Sequence, residues 1–412
     1  MHRHSFRRAF HSRAEHSEWI RRVVRSRKRQ PAGFSVAAER EAPFLSSVDP
    51  FAPQLIFRCA PPAATPLHSA SASMIEVTWP LATNAMLQNA VSDIRERGEL
   101  GWSAMRLGKF YEALDALTGD VAHKHVSNGG GSYNLVTGGH YHSVKLARAL
   151  PGVDMTLRCY ITRTGSSSLE VRTDAVQVLS STGVERLVNV CHTVMVATDP
   201  ATGKGVKGAV PPLIPSGGED EEAEAIRTEL GELHSKIRSR RASEVLFIRD
   251  IRDGKMKLTM PPTQAEMVEV HELHKRAAAS SGIAAHRAVG PDEIGCPDEV
   301  SEHTHTTSLV VFPEHRNVHG NAFGGFVTAH AFDLAYFAAR FYTKGEPFAA
   351  IGLDEAVFLS PVKVGDSITF TARVVHAADA TFRVFVTVGV LDTAAPHQLA
   401  RYGALACHRE GF

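Results

Sequence analysis

Little in this sequence points to cross-links, a metal centre or a strongly charged partner. The 412 residues hold five cysteines, Cys59, Cys159, Cys191, Cys296 and Cys407. Their number is odd and none stand in a Cys-x-x-Cys spacing, which argues against a disulfide framework and a zinc site. They read as reduced, mostly buried thiols. The 45 basic and 44 acidic side chains nearly cancel, so no net field draws the chain to nucleic acid. No stretch reaches the ~18 consecutive apolar residues of a membrane-spanning helix, and no integral membrane association is expected. The glycine run Asn128-Gly-Gly-Gly-Ser132 has no Gly-Lys-Ser/Thr after it and is no phosphate loop. Apolar residues at 43% and charged residues at 22% are ordinary globular usage. At ~150 residues per domain, the length suggests two or three domains.

Charge is uneven along the chain. Residues 1–40 carry ten arginines and Lys28 against Glu15, Glu18 and Glu39, with serines interspersed. That composition is expected of a mitochondrial targeting segment; a basic arm is the plainer alternative. The Pro-, Ala- and Ser-rich stretch that follows reads as linker and N-terminal extension, 41–95. A second shift begins near Pro211, with a proline-rich segment and an acidic run over 219–224. Helical patterns follow to about residue 242 and over 264–279, so 206–300 reads as a helical linker between two units.

Those two units resemble each other. Residues 152–178 and 364–390 each open on an Asp-bearing turn and then alternate apolar and polar side chains. In the first, Met155, Leu157, Cys159 and Ile161 fall on one face; in the second, Ile368, Phe370, Ala372 and Val374 do. Period-two patterns on either side of a short turn predict antiparallel hairpins. Each hairpin is preceded by one helix, at 108–125 and 324–341. The helix acids Asp115 and Asp333 lie 218 residues apart, and the strand-opening acids Asp154 and Asp366 lie 212 apart. Matching offsets predict a duplicated unit. Further strands are expected near 133–147, 187–198, 348–359 and 397–408. The second helix is apolar nearly all round, which predicts burial on most sides. The fold class is therefore α+β, an antiparallel sheet wrapped around a central helix, twice.

That architecture, together with Asn317-Val-His-Gly-Asn321-Ala-Phe-Gly-Gly325 and Ser360-Pro-Val-Lys-Val-Gly-Asp366, resembles the tandem-hotdog acyl-coenzyme A thioesterases. Arg106-Leu-Gly-Lys-Phe-Tyr-Glu-Ala-Leu-Asp115 and Pro211-Pro-Leu-Ile-Pro215 resemble the mitochondrial branch, that of acyl-coenzyme A thioesterase 9. The resemblance covers roughly residues 96–412. It implies hotdog domains at 96–205 and 301–412, hydrolysis of fatty acyl-coenzyme A to fatty acid and coenzyme A, no cofactor and no metal. It also implies a mitochondrial matrix location and a homo-oligomer. A non-catalytic acyl-coenzyme A-binding or regulatory protein on the same scaffold is the alternative function.

Thioester hydrolysis needs a carboxylate to activate water or to attack directly, and donors aimed at the developing oxyanion. Gly324 and Gly325 open the second helix, where backbone amides supply such donors. The resemblance carries the catalytic acid to Asp115, and an asparagine that binds water or the carbonyl to Asn321. Asp333 is a second candidate, although it stands eight residues after Gly325 where seven is the family spacing. A carboxylate in so apolar a helix is costly unless it is paired. Lys363, and Arg340 or Lys344, are candidates for coenzyme A phosphates or simply solvated charges. Asn317 is expected to shape its loop. The first unit lacks the Asn-x-x-Gly-Gly run, so one site is expected between the units, joining Asn321 and the glycines to Asp115.

Overall fold

Two long helices lie against one face of a single antiparallel sheet. In the computed structural model, the residues described are 35–37, 55–59, 68–91, 106–126, 133–147, 149–150, 152–179, 182–214, 304–346, 348–358, 361–378, 381–391 and 398–409, with isolated helical positions between 229 and 275. In chain order the elements are β1 (Ser35–Ala37), β2 (Ile56–Cys59), α1 (Ala70–Ser73), β3 (Ile75–Trp79), α2 (Ala85–Val91), α3 (Leu107–Val126), β4 (Asn134–Lys145), β5 (Met155–Thr164), β6 (Ser168–Val178), β7 (Glu185–Thr198), β8 (Thr304–Val310), α4 (Gly324–Tyr342), β9 (Phe348–Val357), β10 (Ser367–Ala378), β11 (Thr381–Leu391) and β12 (Gln398–Arg409). The sheet runs β1-β2-β3-β5-β6-β7-β4-β9-β12-β11-β10-β8.

The alternating runs form the hairpins expected of them. Met155, Leu157, Cys159 and Ile161 of β5 point inward and are buried, as are Ile368, Phe370 and Ala372 of β10. Opposite β10, Phe382, Val384, Val386 and Val388 of β11 complete the same layer. Side chains of period two line one face of a strand, and these lines face the helices.

The halves join along β4 and β9, which pair antiparallel with Gly139 opposite Val357 and Tyr141 opposite Glu355. Above that seam α3 packs on α4. The Tyr111 ring stacks on Phe332, centroids 4.6 Å apart and planes 15° from parallel. The helices approach so closely that a Cβ on Gly325 would sit 2.9 Å from the Glu112 carbonyl oxygen. One buried layer thus runs through both halves.

Three expectations change. Residues 69–91 are not linker: they form α1, β3 and α2, and Ile75, Val77, Trp79, Leu81 and Leu87 are fully or almost fully buried. The first half also continues past residue 205. Val206 donates to the Ala197 carbonyl, Val210 is buried, and Ile214 donates to the His68 carbonyl at 3.1 Å. Finally, α4 is not buried all round. Asp333, Phe337 and Phe341, at i, i+4 and i+8, form an exposed stripe, because α3 and the sheet cover only the other faces. Apart from β1, the targeting segment 1–40 lies outside the described residues. Most of the 206–300 segment beyond residue 214 does so too, and its described positions within 229–239 and 264–275 are helical.

Candidate active site

Asp115 sits one turn beyond Tyr111 on α3, so it shares the face that Tyr111 turns toward α4. It is 4% exposed. Its Oδ1 accepts a 2.7 Å hydrogen bond from the Thr137 hydroxyl on β4. Its Oδ2 faces the first residue of α4: a Cβ on Gly324 would come within 2.9 Å of it.

The start of α4 is uncapped. Phe323 is the N-cap and makes no side-chain cap bond; the first helical bond runs from the Val327 amide to its carbonyl, 3.2 Å. The amides of Gly324, Gly325 and Phe326 therefore lack acceptors within the helix. Such donors, at the positive end of a helix dipole, make a site for negative charge.

The loop before α4 is fixed by its own polar atoms. Asn317 Oδ1 accepts from the amides of His319 (2.9 Å) and Asn321 (3.1 Å), and its amide donates to the Asn321 carbonyl at 2.6 Å. Gly320 takes φ +79°, the left-handed region that favours glycine. The turn is tied to both halves. His319 Nε2 donates to the Leu135 carbonyl of β4 at 3.1 Å, and Ala322 donates to the Val362 carbonyl at 2.7 Å. A cleft of about 850 Å³ opens here, lined by Asp115, Gly119, His123, Thr137, Asn321 and Gly324 among others. That volume lies within the usual range for small-molecule sites.

The expected site residues do not all gather there. Asp115, Asn321 and Gly324 do. Gly325 is turned toward the helix interface: a Cβ there would meet the Phe323 ring at 2.6 Å as well as the Glu112 carbonyl. Lys363 is exposed, and its backbone bridges to Asn321. Arg340 lies at the far end of α4, about 24 Å from Gly324 at 1.5 Å per residue; Arg316 instead lines the cleft.

Asp333 has a different setting. It is 43% exposed and ion-paired to Arg106, Nη2 to Oδ2 2.5 Å. The 218-residue offset that carries Asp115 onto Asp333 also carries Arg106 onto Gly324. Where the first carboxylate faces the Gly324 position, the second faces a guanidinium. The buried burden expected of Asp333 is absent because α4 presents it outward.

Two groups near Asp115 had no signal in the chain. Thr137 and His140 lie on β4, and only the packing of α3 over that strand brings them to the carboxylate. His140 Nε2 stands 3.4 Å from Asp115 Oδ1.

Other reactive groups are muted. Burial pushes the Cys191 thiol up to about 12 and raises the Cys159 thiol as well. Burial also raises the Tyr111 phenol well above its usual value. All three stay protonated near neutral pH and serve as neither nucleophile nor base. Burial, then the charge of His319, lowers His123 to about 4. Among the described residues no group of three or more His, Cys, Asp or Glu is placed to hold a metal ion, and no helix is long and apolar enough to cross a membrane.

Comparison with known proteins bears on this geometry. Residues 319–393, which run from His319 in the turn through α4 to β11, match the family model "Thioesterase superfamily". "Acyl-coenzyme A thioesterase 4, mitochondrial" of Humulus lupulus is 27% identical over 300 residues, 71% of this chain and 52% of its own length. "Acyl-coenzyme A thioesterase 9, mitochondrial" of Mus musculus is 25% identical over 342 residues, 78% of this chain and 68% of its own. The chain thus spans about half to two thirds of the length of these curated relatives. Among solved structures, a putative oleoyl thioesterase from Lactobacillus plantarum covers 74% of this chain and 87% of its own at 10% identity, with a TM-score of 0.39. A score that low carries no residue across. The family match over 319–393, and relatives that run along most of the chain, bear out its resemblance to the mitochondrial acyl-coenzyme A thioesterases.

Proposed function

We propose that the chain hydrolyses acyl-coenzyme A thioesters to a carboxylic acid and coenzyme A, on two tandem hotdog units joined by a helical linker, at one site between them. The observation that carries this reading is the meeting of Asp115 Oδ2, from the first half, with the uncapped N-terminus of α4, from the second. A thioester carbonyl seated on the Gly324 and Gly325 amides would place its carbon beside the carboxylate. Asp115 takes the proton of an attacking water and returns it to the leaving sulfur, or it attacks directly to form an acyl–Asp115 anhydride that water then hydrolyses. The amides and the dipole of α4 hold the oxyanion while the carbon–sulfur bond breaks and the thiol leaves. The Asn321 side chain, able to donate and accept at once, orients the water or the carbonyl. Arg316 is the cleft's cation for a coenzyme A phosphate.

The relatives' names support an acyl-coenzyme A substrate and a mitochondrial location for this chain. Residues 1–40 are proposed as the targeting segment. Self-association belongs to the same reading, since Phe337 and Phe341 are 46% and 53% exposed along one face of α4.

The test is thiol release from acyl-coenzyme A esters of two to twenty carbons by the full chain. Asp115→Asn should lower kcat at least ~100-fold with KM little changed, because it removes a group used mainly in the transition state. Wild-type turnover in a folded Asp115→Asn variant would move the chemistry elsewhere.

A further inference from the structure

We propose that His140, buried behind Asp115, is the positioning residue that selects Oδ2 as the reacting oxygen of that carboxylate; the inference rests on the hydrolase reading above. The imidazole is 0% exposed. Its ring lies between Tyr111 and Phe358, 5.9 and 6.0 Å from their centroids. It does not line the cleft, so it acts through Asp115 and not on substrate.

Its two nitrogens have different neighbours. Nδ1 is 2.9 Å from the Thr193 hydroxyl on β7. Nε2 is buried and makes no hydrogen bond among the described residues, yet stands 3.4 Å from Asp115 Oδ1. A buried polar atom without a bond needs an explanation, and the tautomers provide one. With its proton on Nδ1, the ring would aim the Nε2 lone pair at a carboxylate oxygen, acceptor against acceptor in a dry interior. With its proton on Nε2, a donor stands on the side of Oδ1, 3.4 Å away and short of a formed hydrogen bond, and the Thr193 hydroxyl donates to Nδ1.

The acceptor-only Oδ1 therefore sets the tautomer, and the Thr193 hydroxyl, which can donate as well as accept, holds the ring by Nδ1. His140 and Thr137 then present two donors to the same oxygen, Oδ1. Oδ2, facing Gly324, is left to accept the proton.

The experiment uses the full chain and the acyl-coenzyme A it hydrolyses fastest. His140→Leu and Thr193→Val should each lower kcat ~10- to 100-fold with KM within about twofold, the scale of loss when a reacting group is misplaced by about 1 Å. His140→Gln, whose amide N–H can reach toward the Nε2 position, should recover most of the loss. In an Asp115→Asn background, His140→Leu should remove nothing further, since residues that act as a unit are not additive. Two results would overturn the inference while leaving the hydrolase reading intact. One is wild-type kcat in folded His140→Leu. The other is an equal loss with and without Asp115. If His140→Leu does not fold, Thr193→Val decides by the same criteria. Absence of thiol release by the wild type from every ester overturns the hydrolase reading, and this inference with it.

Discussion

The two glycines that open α4 have different work, and single substitutions should separate them. A Cβ at Gly324 would meet the end of the Asp115 side chain and the rim of the Phe358 ring, 2.9 and 3.2 Å away. Both can yield, so Gly324→Ala should fold with little change in melting temperature. It should nevertheless lose about 100-fold in kcat, roughly the cost of one oxyanion donor or of displacing the carboxylate. A Cβ at Gly325 would meet backbone, the Glu112 carbonyl, which cannot swing aside. Gly325→Ala should therefore cost about 1–3 kcal/mol of stability by overpacking the helix pair. Thermal melts and kcat of the two variants check this, and equal melting temperatures would show that the interface relaxes. His123 offers a second test. Held down to about 4 by burial and by His319, it stays neutral in the folded chain where an unfolded histidine, near 6.5, takes up a proton. Between those values the unfolded state binds more protons, so this group makes stability fall as pH drops from about 6.5 toward 4. His125, also lowered by burial, acts in the same direction. His123→Gln should flatten the fall in melting temperature between pH 7 and pH 4.5; an unchanged slope would mean that His123 is protonated in the fold.

Among the elements, those with a strong period could be read from the chain, and those defined by what covers them could not. The expected strands near 133–147, 187–198, 348–359 and 397–408 occur at 134–145, 185–198, 348–357 and 398–409. Alternation is a local signal, and a sheet with one face on the helices preserves it. The residues 69–91 were misleading because Ser69, Ala70, Ser71 and Ser73 continue the linker-like composition. Those small side chains pack in the interior, where Ser71 and Ser73 are hydrogen-bonded to Ser69. Apolarity all round α4 suggested burial all round, yet only the packing of α3 decides which face remains outside. The site divides in the same way. Asp115 and the Asn321 turn lie in contiguous stretches, whereas Thr137 and His140 reach Asp115 only through tertiary packing. A chain that starts at residue 96, where the family resemblance would place the first domain, should fail to fold. It lacks Ile75, Val77, Trp79 and Leu87, four core side chains that are at most 1% exposed. A chain that starts at residue 41 should keep its cooperative melt. Soluble, cooperatively folding protein from the shorter chain would show that β3 and α2 are dispensable.

Across the whole molecule, the two helix acids stand in different surroundings. The arrangement of α3 over α4 creates two places where a helix acid meets the start of the opposite helix. At one, Asp115 faces Gly324 and a cleft; at the other, Asp333 faces Arg106, with a carboxylate oxygen 3.2 Å from where a Cβ on Gly108 would stand. The Asp333 carboxylate has each of its oxygens engaged by the same guanidinium, Nε to Oδ1 at 3.3 Å and Nη2 to Oδ2 at 2.5 Å. Both partners are 43% exposed, so water weakens the pair and its removal should cost little stability. Asp333→Asn should thus keep kcat within about threefold and shift the melting temperature only slightly, in contrast to Asp115→Asn. The stoichiometry follows. A non-hydrolysable thioether analogue of the preferred acyl-coenzyme A should titrate calorimetrically to one equivalent per chain. Arg106→Ala should leave that number at one, because freeing Asp333 does not rebuild the asparagine turn that Asn317 and Asn321 form at the other site. Two equivalents in the wild type, or loss of turnover in Asp333→Asn, would mean that both halves carry a working carboxylate and that the asymmetry between them is not one of function.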